Sequence, residues 1–399
     1  MKAGRRTTVG EVCSFLNGGT PSKSVERYFQ GDIPWITGAD ITSPLVTNAR
    51  SYITKEAVES SATNRVPAGT VLLVTRTSVG KVATAGVDLC FSQDITALTP
   101  DTSRLHASYL VEFLKTQETH FERQARGATI KGITRQVVGD LEIPLPPLAE
   151  QRRIAEVLDR AEALRAKRRA ALAQLDSLTQ SLFLDLFGDP RVNERQWPLQ
   201  AIGSFISDMR GGAALEPDDF VESGFPILHK GAIKAQGAIG IDAKKKTFAP
   251  LAYAQSSPNN IVNREFVAVT LRDLVPTGPS IGLTADLRSG PFDEYLLAQG
   301  CYGFRVDNYK VVPEFLVHLS NNKNFRHVFK QNSVGSTQIH IRTPVYLAIR
   351  IPVPPISLQR KFARRVTGVE ALKTAQRKSL AELDALFATL QNRAFKGEL

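Results

Sequence analysis

The stretch Thr75-Arg-Thr-Ser78 sets one guanidinium among three hydroxyls, just after the apolar run Thr70-Val-Leu-Leu-Val-Thr75 and shortly before Gly80. A planar guanidinium can grip the O6 and N7 of guanine with two parallel hydrogen bonds, and threonine or serine can bond a base edge or a phosphate. Thr75, Arg76, Thr77 and Ser78 are therefore candidates for reading nucleic acid near a tight turn, and Lys81 is a candidate phosphate contact. Two further loops, Arg126-Gly-Ala-Thr-Ile-Lys131 and Gly335-Ser-Thr-Gln-Ile-His-Ile-Arg342, mix cations with glycine and threonine. That composition suits phosphate binding through side chains and backbone N–H groups, so Arg126, Lys131, His340 and Arg342 join the set. Lys230, Arg272 and the run Lys244-Lys-Lys246 complete it. The plain alternative for each is a solvated turn or an ordinary connection.

Catalytic patterns are sparse. Pro217-Asp218 lies upstream of Asp242-Ala-Lys244, a loose match to the Pro-Asp…Asp-x-Lys arrangement in which two carboxylates hold a divalent metal. The pattern occurs once, and a nuclease using Asp218, Asp242 and Lys244 is the weaker alternative. A DNA adenine methyltransferase needs Asn/Asp-Pro-Pro followed by an aromatic residue, which neither Pro146-Pro147 nor Pro354-Pro355 supplies. No Gly-x-x-x-x-Gly-Lys-Ser/Thr loop is present for ATP. Cys13, Cys90 and Cys301 are isolated, without metal-ligand spacing, and read as reduced buried thiols. The expectation is a chain with no catalytic residue, no metal and no cofactor of its own.

Fifty Lys and Arg stand against 39 Asp and Glu in 399 residues, giving +11. Residues 1–147 carry +2, 148–189 carry 0, 190–355 carry +4 and 356–399 carry +5, so the basic excess is spread rather than confined to a tail. Such an excess favours a polyanionic partner. Apolar runs such as Val71 to Val74 are far shorter than the roughly 20 residues of a membrane span. Met1 to Gly10 carries Lys2, Arg5 and Arg6 with no apolar segment after it. A cytoplasmic protein without a membrane partner is expected.

The elements that must position these residues are duplicated. Ile143-Pro-Leu-Pro-Pro147 recurs as Ile351-Pro-Val-Pro-Pro355, and the displacement of 208 residues holds without a gap to Phe187 and Phe395, with 18 identities in 45 positions. Gln151-Arg152 matches Gln359-Arg360, and Gly127 and Thr129 match Gly335 and Thr337. Each copy begins with short Val/Ile/Leu/Phe runs punctuated by Pro and Gly, the pattern of a mixed, strand-rich globular head. Each ends in a helical stretch. Ala149 to Phe187 contains neither Gly nor Pro, and Leu158, Ala161, Leu172, Leu175, Thr179 and Leu182 recur at three- and four-residue steps. Its copy, Ser357 to Lys396, is interrupted only by Gly368. A helix of that length runs about 58 Å and must bury its apolar stripe, most simply against the other copy.

The expected fold is thus α+β: two globular mixed α/β domains separated by two long antiparallel coiled-coil helices, as a tandem pseudo-twofold repeat. The expected boundaries are a first head at 1–147, a central helix at 148–188, a second head at 189–355 and a C-terminal helix at 356–399. The heads have diverged more than the helices: Trp35-Ile-Thr-Gly-Ala-Asp40 stands roughly where Leu228-His-Lys-Gly-Ala-Ile233 does, and Trp35, beside Ile33 and Ile36, reads as core.

Several stretches resemble the specificity subunits of Type I restriction-modification systems. Ile143-Pro-Leu-Pro-Pro-Leu-Ala-Glu-Gln-Arg-Arg-Ile154 is similar to the start of their central helix, and Phe183-Leu-Asp-Leu-Phe-Gly-Asp-Pro190 to its exit. The terminal Ala394-Phe-Lys-Gly-Glu-Leu399 fits the same pattern. Gly31-Asp-Ile-Pro-Trp-Ile36 and Leu73-Val-Thr-Arg-Thr-Ser-Val-Gly-Lys81 resemble motifs of target recognition domains, echoed more weakly by Gly224-Phe-Pro-Ile-Leu228 and Thr270-Leu-Arg272. The resemblance implies two recognition domains, each entering the major groove at one half of an asymmetric, bipartite site on double-stranded DNA, with the helices setting the gap. It implies docking of two adenine-methyltransferase subunits, for which Gln151, Arg152, Gln359 and Arg360 are the candidates, and addition of a restriction subunit. S-adenosylmethionine, ATP and Mg are then expected on the partner subunits. The rival of similar architecture is a coiled-coil scaffold whose heads bind protein. Steep weakening of DNA binding by salt separates the two.

Overall fold

The computed structural model describes residues 6–127, 131–241 and 246–398. They form two compact units, one of Met1–Arg169 with Lys378–Leu399 and one of Ala170–Arg377.

In the first unit the run Val71–Val74 is completely buried, as a strand covered on both faces must be. It lies inside a five-stranded sheet in the order Cys13–Asn17, Ile95–Pro100, Val71–Val74, Val82–Ala85, Leu45–Val46. A second sheet runs Ser51–Ile53, Ile33–Ile36, Leu89–Phe91, Asn64–Val66, with Ile33–Ile36 and Leu89–Phe91 parallel. Arg6–Thr8 pairs antiparallel with Glu142–Pro144 and ties the start of the head to its end. Trp35 is buried, with its indole N–H donated to the Gly19 carbonyl at 3.0 Å and its ring edge-on to Phe29.

The second unit repeats this plan without a counterpart of the edge strand Leu45–Val46. Its sheets are Ile206–Gly211, Cys301–Val306, Val267–Thr270, Thr284–Asp286 and Phe248–Ala249, Phe225–Leu228, Glu294–Leu297, Ile261–Asn263, the latter with the same parallel pair at its centre. Leu199–Ala201 with Arg350–Pro352 is the counterpart of the closing ribbon. Trp35 faces Cys90 across that parallel pair as Ile227 faces Leu296, so Trp35 corresponds to Ile227, one residue from the approximate match of the two sequences. Duplication therefore extends through the heads, where sequence identity has faded.

The long helices run Leu148–Phe187 and Ile356–Lys396, each starting directly after the Pro-Pro pair, at the expected boundary and one residue before the Gly- and Pro-poor stretch counted from Ala149 and Ser357. In the first unit Ile154 and Leu158 share a core with Phe387 and Ala394, and Arg165 bonds Asp384 at 2.6 Å while its guanidinium lies 4.3 Å from the Phe387 ring centre. In the second unit Lys373 bonds Asp176 at 2.9 Å, and Phe183 and Phe187 pack on Phe362. Rising numbers on one helix meet falling numbers on the other, so the helices pair antiparallel within each unit. The ion-pair groups are also copies: Glu162, Arg165 and Asp384 in one unit, Glu370, Lys373 and Asp176 in the other. Gly368 is accommodated within its helix.

His318 sits edge-on to Phe362, 5.2 Å between ring centres. Burial, with Lys373 adding to it, pushes its imidazole down to about 4 from an ordinary 6.5. A histidine held neutral leaves stability intact above the unfolded value and removes it as pH falls from about 6.5 to about 4, because only the unfolded chain takes up the proton there. The loss is expected to reach about 3 kcal/mol. Chemical denaturation of the wild type and His318→Leu across that range checks this, the difference between them carrying the slope. In the first copy the place of His318 in the short helix is taken by Glu112, whose carboxyl burial pushes up, partly offset by Lys115.

Candidate nucleic-acid interface and helix surfaces

The candidate residues of the first head converge on one corner. Arg76 forms a β-bridge with Gly132, and Gly132 forms another with Arg126. The Ile133 N–H donates to the Thr75 carbonyl at 2.9 Å, and the Thr77 N–H donates to the Lys131 carbonyl at 3.0 Å. Thr77 has φ 66°, a left-handed conformation that is strained for a β-branched residue. Gly80, at φ 97°, closes the turn by donating to the Val74 carbonyl. Arg76, Thr77, Lys81, Arg126 and Lys131 are exposed and Ser78 is half-buried. Among the described residues no carboxylate forms a salt bridge with Arg76, Lys81, Arg126 or Lys131. Their charge is left for an external anion.

The second head builds the same corner from different side chains. Arg272 pairs with His340, and His340 bridges Val334, as Arg76 pairs with Gly132 and Gly132 with Arg126. The Ile341 N–H donates to the Leu271 carbonyl at 2.8 Å, repeating Ile133 and Thr75, and Gly282 donates to Thr270 as Gly80 does to Val74. Around Arg272 lie two adjoining clefts of about 600 and 520 Å³. Lys230, Lys246 and Leu274 line one, His340 and Arg342 the other, and Arg272, Gln299 and Gln338 line both. Lys230 is 3.7 Å from the buried Asp273. Burial alone would raise that carboxyl, but hydrogen bonds from the Ser280 hydroxyl and amide and the Val275 amide, with the Lys230 charge, hold it below its ordinary range. Asp273 thereby anchors the loop that follows Arg272. His229, in the same wall, is pushed below its usual value by burial and by Lys234 and Lys230, and its Nδ1 accepts from the Gly231 N–H.

Three expectations are corrected. Thr75 is buried and its hydroxyl faces Thr96 and the Asp94 carbonyl, so it supports the corner from inside and cannot touch a ligand. Gln151 and Gln359, expected to meet a partner subunit, are completely buried. Gln151 accepts from the His106 N–H and donates to the Arg104 and Pro146 carbonyls; Gln359 accepts from the Val312 N–H and donates to Lys310 and Pro354. Each fastens the first turn of a long helix to its own head. Arg152 and Arg360 beside them are exposed. Lys244, Lys245 and Asp242 lie outside the described residues. Asp218 is exposed on the turn Pro217–Asp219, and among the described residues no group of three or more His, Cys, Asp or Glu could hold a metal ion. Burial raises the Cys13, Cys90 and Cys301 thiols to about 12, 11 and 12, keeping them protonated. No helix among the described residues is long and apolar enough to cross a membrane.

Sequence reasoning included Gln338 in the loop Gly335 to Arg342, and Gln299-Gly300 as a weak echo of a recognition-domain motif, but singled out neither uncharged residue as a contact. It also missed four exposed leucines. Leu164 and Leu372 are 52% and 55% exposed, and Leu178 and Leu386 are 43% and 52% exposed. Both pairs obey the 208-residue displacement, a signal that was available once exposure was known.

The chain matches the family model of the Type I restriction modification DNA specificity domain over residues 6–174 and again over 208–384. It is 21% identical to the Type I restriction enzyme MjaVIII specificity subunit of Methanocaldococcus jannaschii, over 98% of this chain and 92% of that one. It is 34% identical to the EcoR124I/EcoR124II specificity subunit of Escherichia coli over 39% of this chain and 40% of that one. In three dimensions it resembles the S subunit of the Type I system of M. genitalium, with TM-score 0.58 at 19% identity over 98% and 96% of the two chains. A chain of a type I R-M system studied for complex assembly and conformational transition gives TM-score 0.60 at 17% identity over 100% and 99%. Two family segments, one in each copy of a duplicated fold, cover most of the chain, which belongs to the Type I restriction modification DNA specificity family.

Proposed function

We propose that this chain supplies DNA sequence specificity to a Type I restriction-modification complex and performs no chemistry itself. Each head reads one half of an asymmetric, bipartite site in double-stranded DNA. The observation that carries this reading is the repeated corner: Arg76 and Arg272 stand at the same place in two copies of one fold, among different neighbours. A conserved scaffold with divergent side chains at one exposed, cationic corner suits two readers of different sequence. Arg126, Lys131, Lys246 and Arg342 contribute phosphate contacts that set register and affinity. S-adenosylmethionine belongs to adenine-methyltransferase partners and ATP and Mg to a restriction partner, all in the cytoplasm. The two methyltransferase subunits dock on the exposed leucines Leu164, Leu178, Leu372 and Leu386, with Arg152 and Arg360 at the helix starts. Surface leucines at equivalent positions of two copies offer equivalent apolar contacts to two like partners.

Co-expression with the methyltransferase subunit of its own genetic neighbourhood, read by methylation of random-sequence DNA, tests the reading. Methylation confined to one split motif and absent without this chain is expected; methylation indifferent to this chain overturns it. Arg126→Gln is expected to weaken DNA binding evenly across sequences and to lower the slope of log affinity against log salt by about 0.9, measured by titration at several salt concentrations.

A further inference from the structure

We infer that Arg272 and Gln338 form one base-reading unit in the second head, in which Arg272 takes a guanine and Gln338 both fixes Arg272 and reads the neighbouring base. The inference rests on the specificity reading above and names the chemistry that one half-site must present.

Gln338 accepts from Arg272 Nη2 through its amide oxygen at 2.7 Å. An arginine free in solvent loses much rotamer entropy when it grips a base; one already held by a neutral acceptor loses less and keeps its full charge. A carboxylate in the same place would hold the guanidinium but cancel its attraction for DNA. Both ends of the pair are themselves constrained. Arg272 is held in a two-residue ladder with His340, and below it Gly300, at φ 89°, leaves room that a Cβ would fill, 2.9 Å from Arg272 Cβ. Gln338 stands in the turn between Val334 and His340, which bridge each other, and a Cβ on Gly335 would strike the Gln338 carbonyl oxygen at 2.0 Å. Gln338 is exposed and both side chains line the two clefts.

The hydrogen-bond inventory then decides what the pair can read. Arg272 retains further N–H donors in the fork that matches guanine O6 and N7. Gln338 has one lone pair of its oxygen engaged by Arg272, and its two N–H groups are the free donors it can offer a base. In the major groove guanine, adenine and thymine all present an acceptor, whereas cytosine presents the N4 donor. The half-site read by the second head is therefore expected to contain guanine next to a base that presents an acceptor, with cytosine disfavoured. In the first copy the 208-residue displacement aligns Gly132 with His340 and the apolar Ile130, which lies outside the described residues, with Gln338, so the two half-sites are expected to differ in kind.

The test uses the full chain co-expressed with its methyltransferase partner, with methylated motifs mapped on random-sequence DNA for wild type, Arg272→Ala, Gln338→Ala and Gln338→Glu. Arg272→Ala is expected to lower methylation of the wild-type motif about 10- to 100-fold and to open one guanine position in one half-site, leaving the other half unchanged. Gln338→Ala relaxes the adjacent position and weakens the guanine preference. Gln338→Glu lowers methylation overall, because the carboxylate offsets the charge of Arg272, but it keeps an acceptor that holds Arg272 at the guanine, exchanges the amide donor for an acceptor and turns the adjacent preference toward cytosine. Co-purification of the partner at wild-type level, with the first half-site intact, shows that a variant is folded. An unaltered motif with evenly reduced methylation in Arg272→Ala and Gln338→Glu makes both residues backbone contacts and overturns the pair. A wild type that yields no split motif overturns the specificity reading beneath it, whatever the variants do.

Discussion

Gln359→Leu is expected to destabilise the second unit by about 3–5 kcal/mol, with little change in side-chain volume. The wild-type amide is fully buried and makes three hydrogen bonds, accepting from Val312 and donating to Lys310 and Pro354. Leucine leaves one N–H and two carbonyls unpaired, and each buried orphan costs about 1–3 kcal/mol. Gln359→Glu is expected to be no better, because it adds a buried charge facing two carbonyl oxygens. Denaturant unfolding of the three proteins, followed through the Trp197 fluorescence of this unit, checks the order. Trp197 donates its indole N–H to the Phe187 carbonyl at the exit of the first long helix, so it reports on the same unit. A loss below 1 kcal/mol for leucine would show that the three backbone groups find other partners and that the fastening is dispensable.

Phe362→Ala is expected to cost about 3–5 kcal/mol and to release His318. Phe362 is completely buried, 5.6 Å from the Phe183 ring, 5.3 Å from Phe187 and 5.2 Å from His318. These rings hold the end of one long helix against the start of the other and against the short helix Pro313–Asn321 that carries His318. Alanine leaves a cavity that the aromatic neighbours cannot close, and water reaching His318 returns its imidazole from about 4 toward 6.5. Stability loss should appear in thermal unfolding, and NMR titration of the His318 ring should show the rise. A large stability loss with an unmoved titration would mean that Lys373, not burial behind Phe362, keeps the imidazole neutral.

Both predictions fall on features whose existence was plain in the sequence and whose work was not. The exact return of Pro-Pro followed four residues later by Gln-Arg marked the start of both long helices to within one residue, because proline pairs exclude the preceding helix and a Pro-free, three-four spaced leucine pattern propagates the next. The recurrence also suggested a partner surface. Gln151 and Gln359 recur instead because each copy must satisfy the same buried backbone groups, and a sequence does not say which side of a helix's first turn faces its own head.

The amino-acid sequence by itself determined the duplication, the two long helices, the strand-rich character of the heads and the cations of the corner. All of these follow from local pattern: periodicity, proline and glycine placement, and repetition at a fixed displacement. Tertiary structure alone decided that Arg76 and Arg272 are equivalent, since they are 196 residues apart rather than 208 and the loops behind them differ in length. Their likeness lies in backbone pairing with Gly132 and His340, which brings together segments more than 50 residues distant. It also decided that Thr75 turns inward while Gln338 turns out to Arg272, because alternation along a strand and closure of a turn fix direction only once the neighbouring strands are in place.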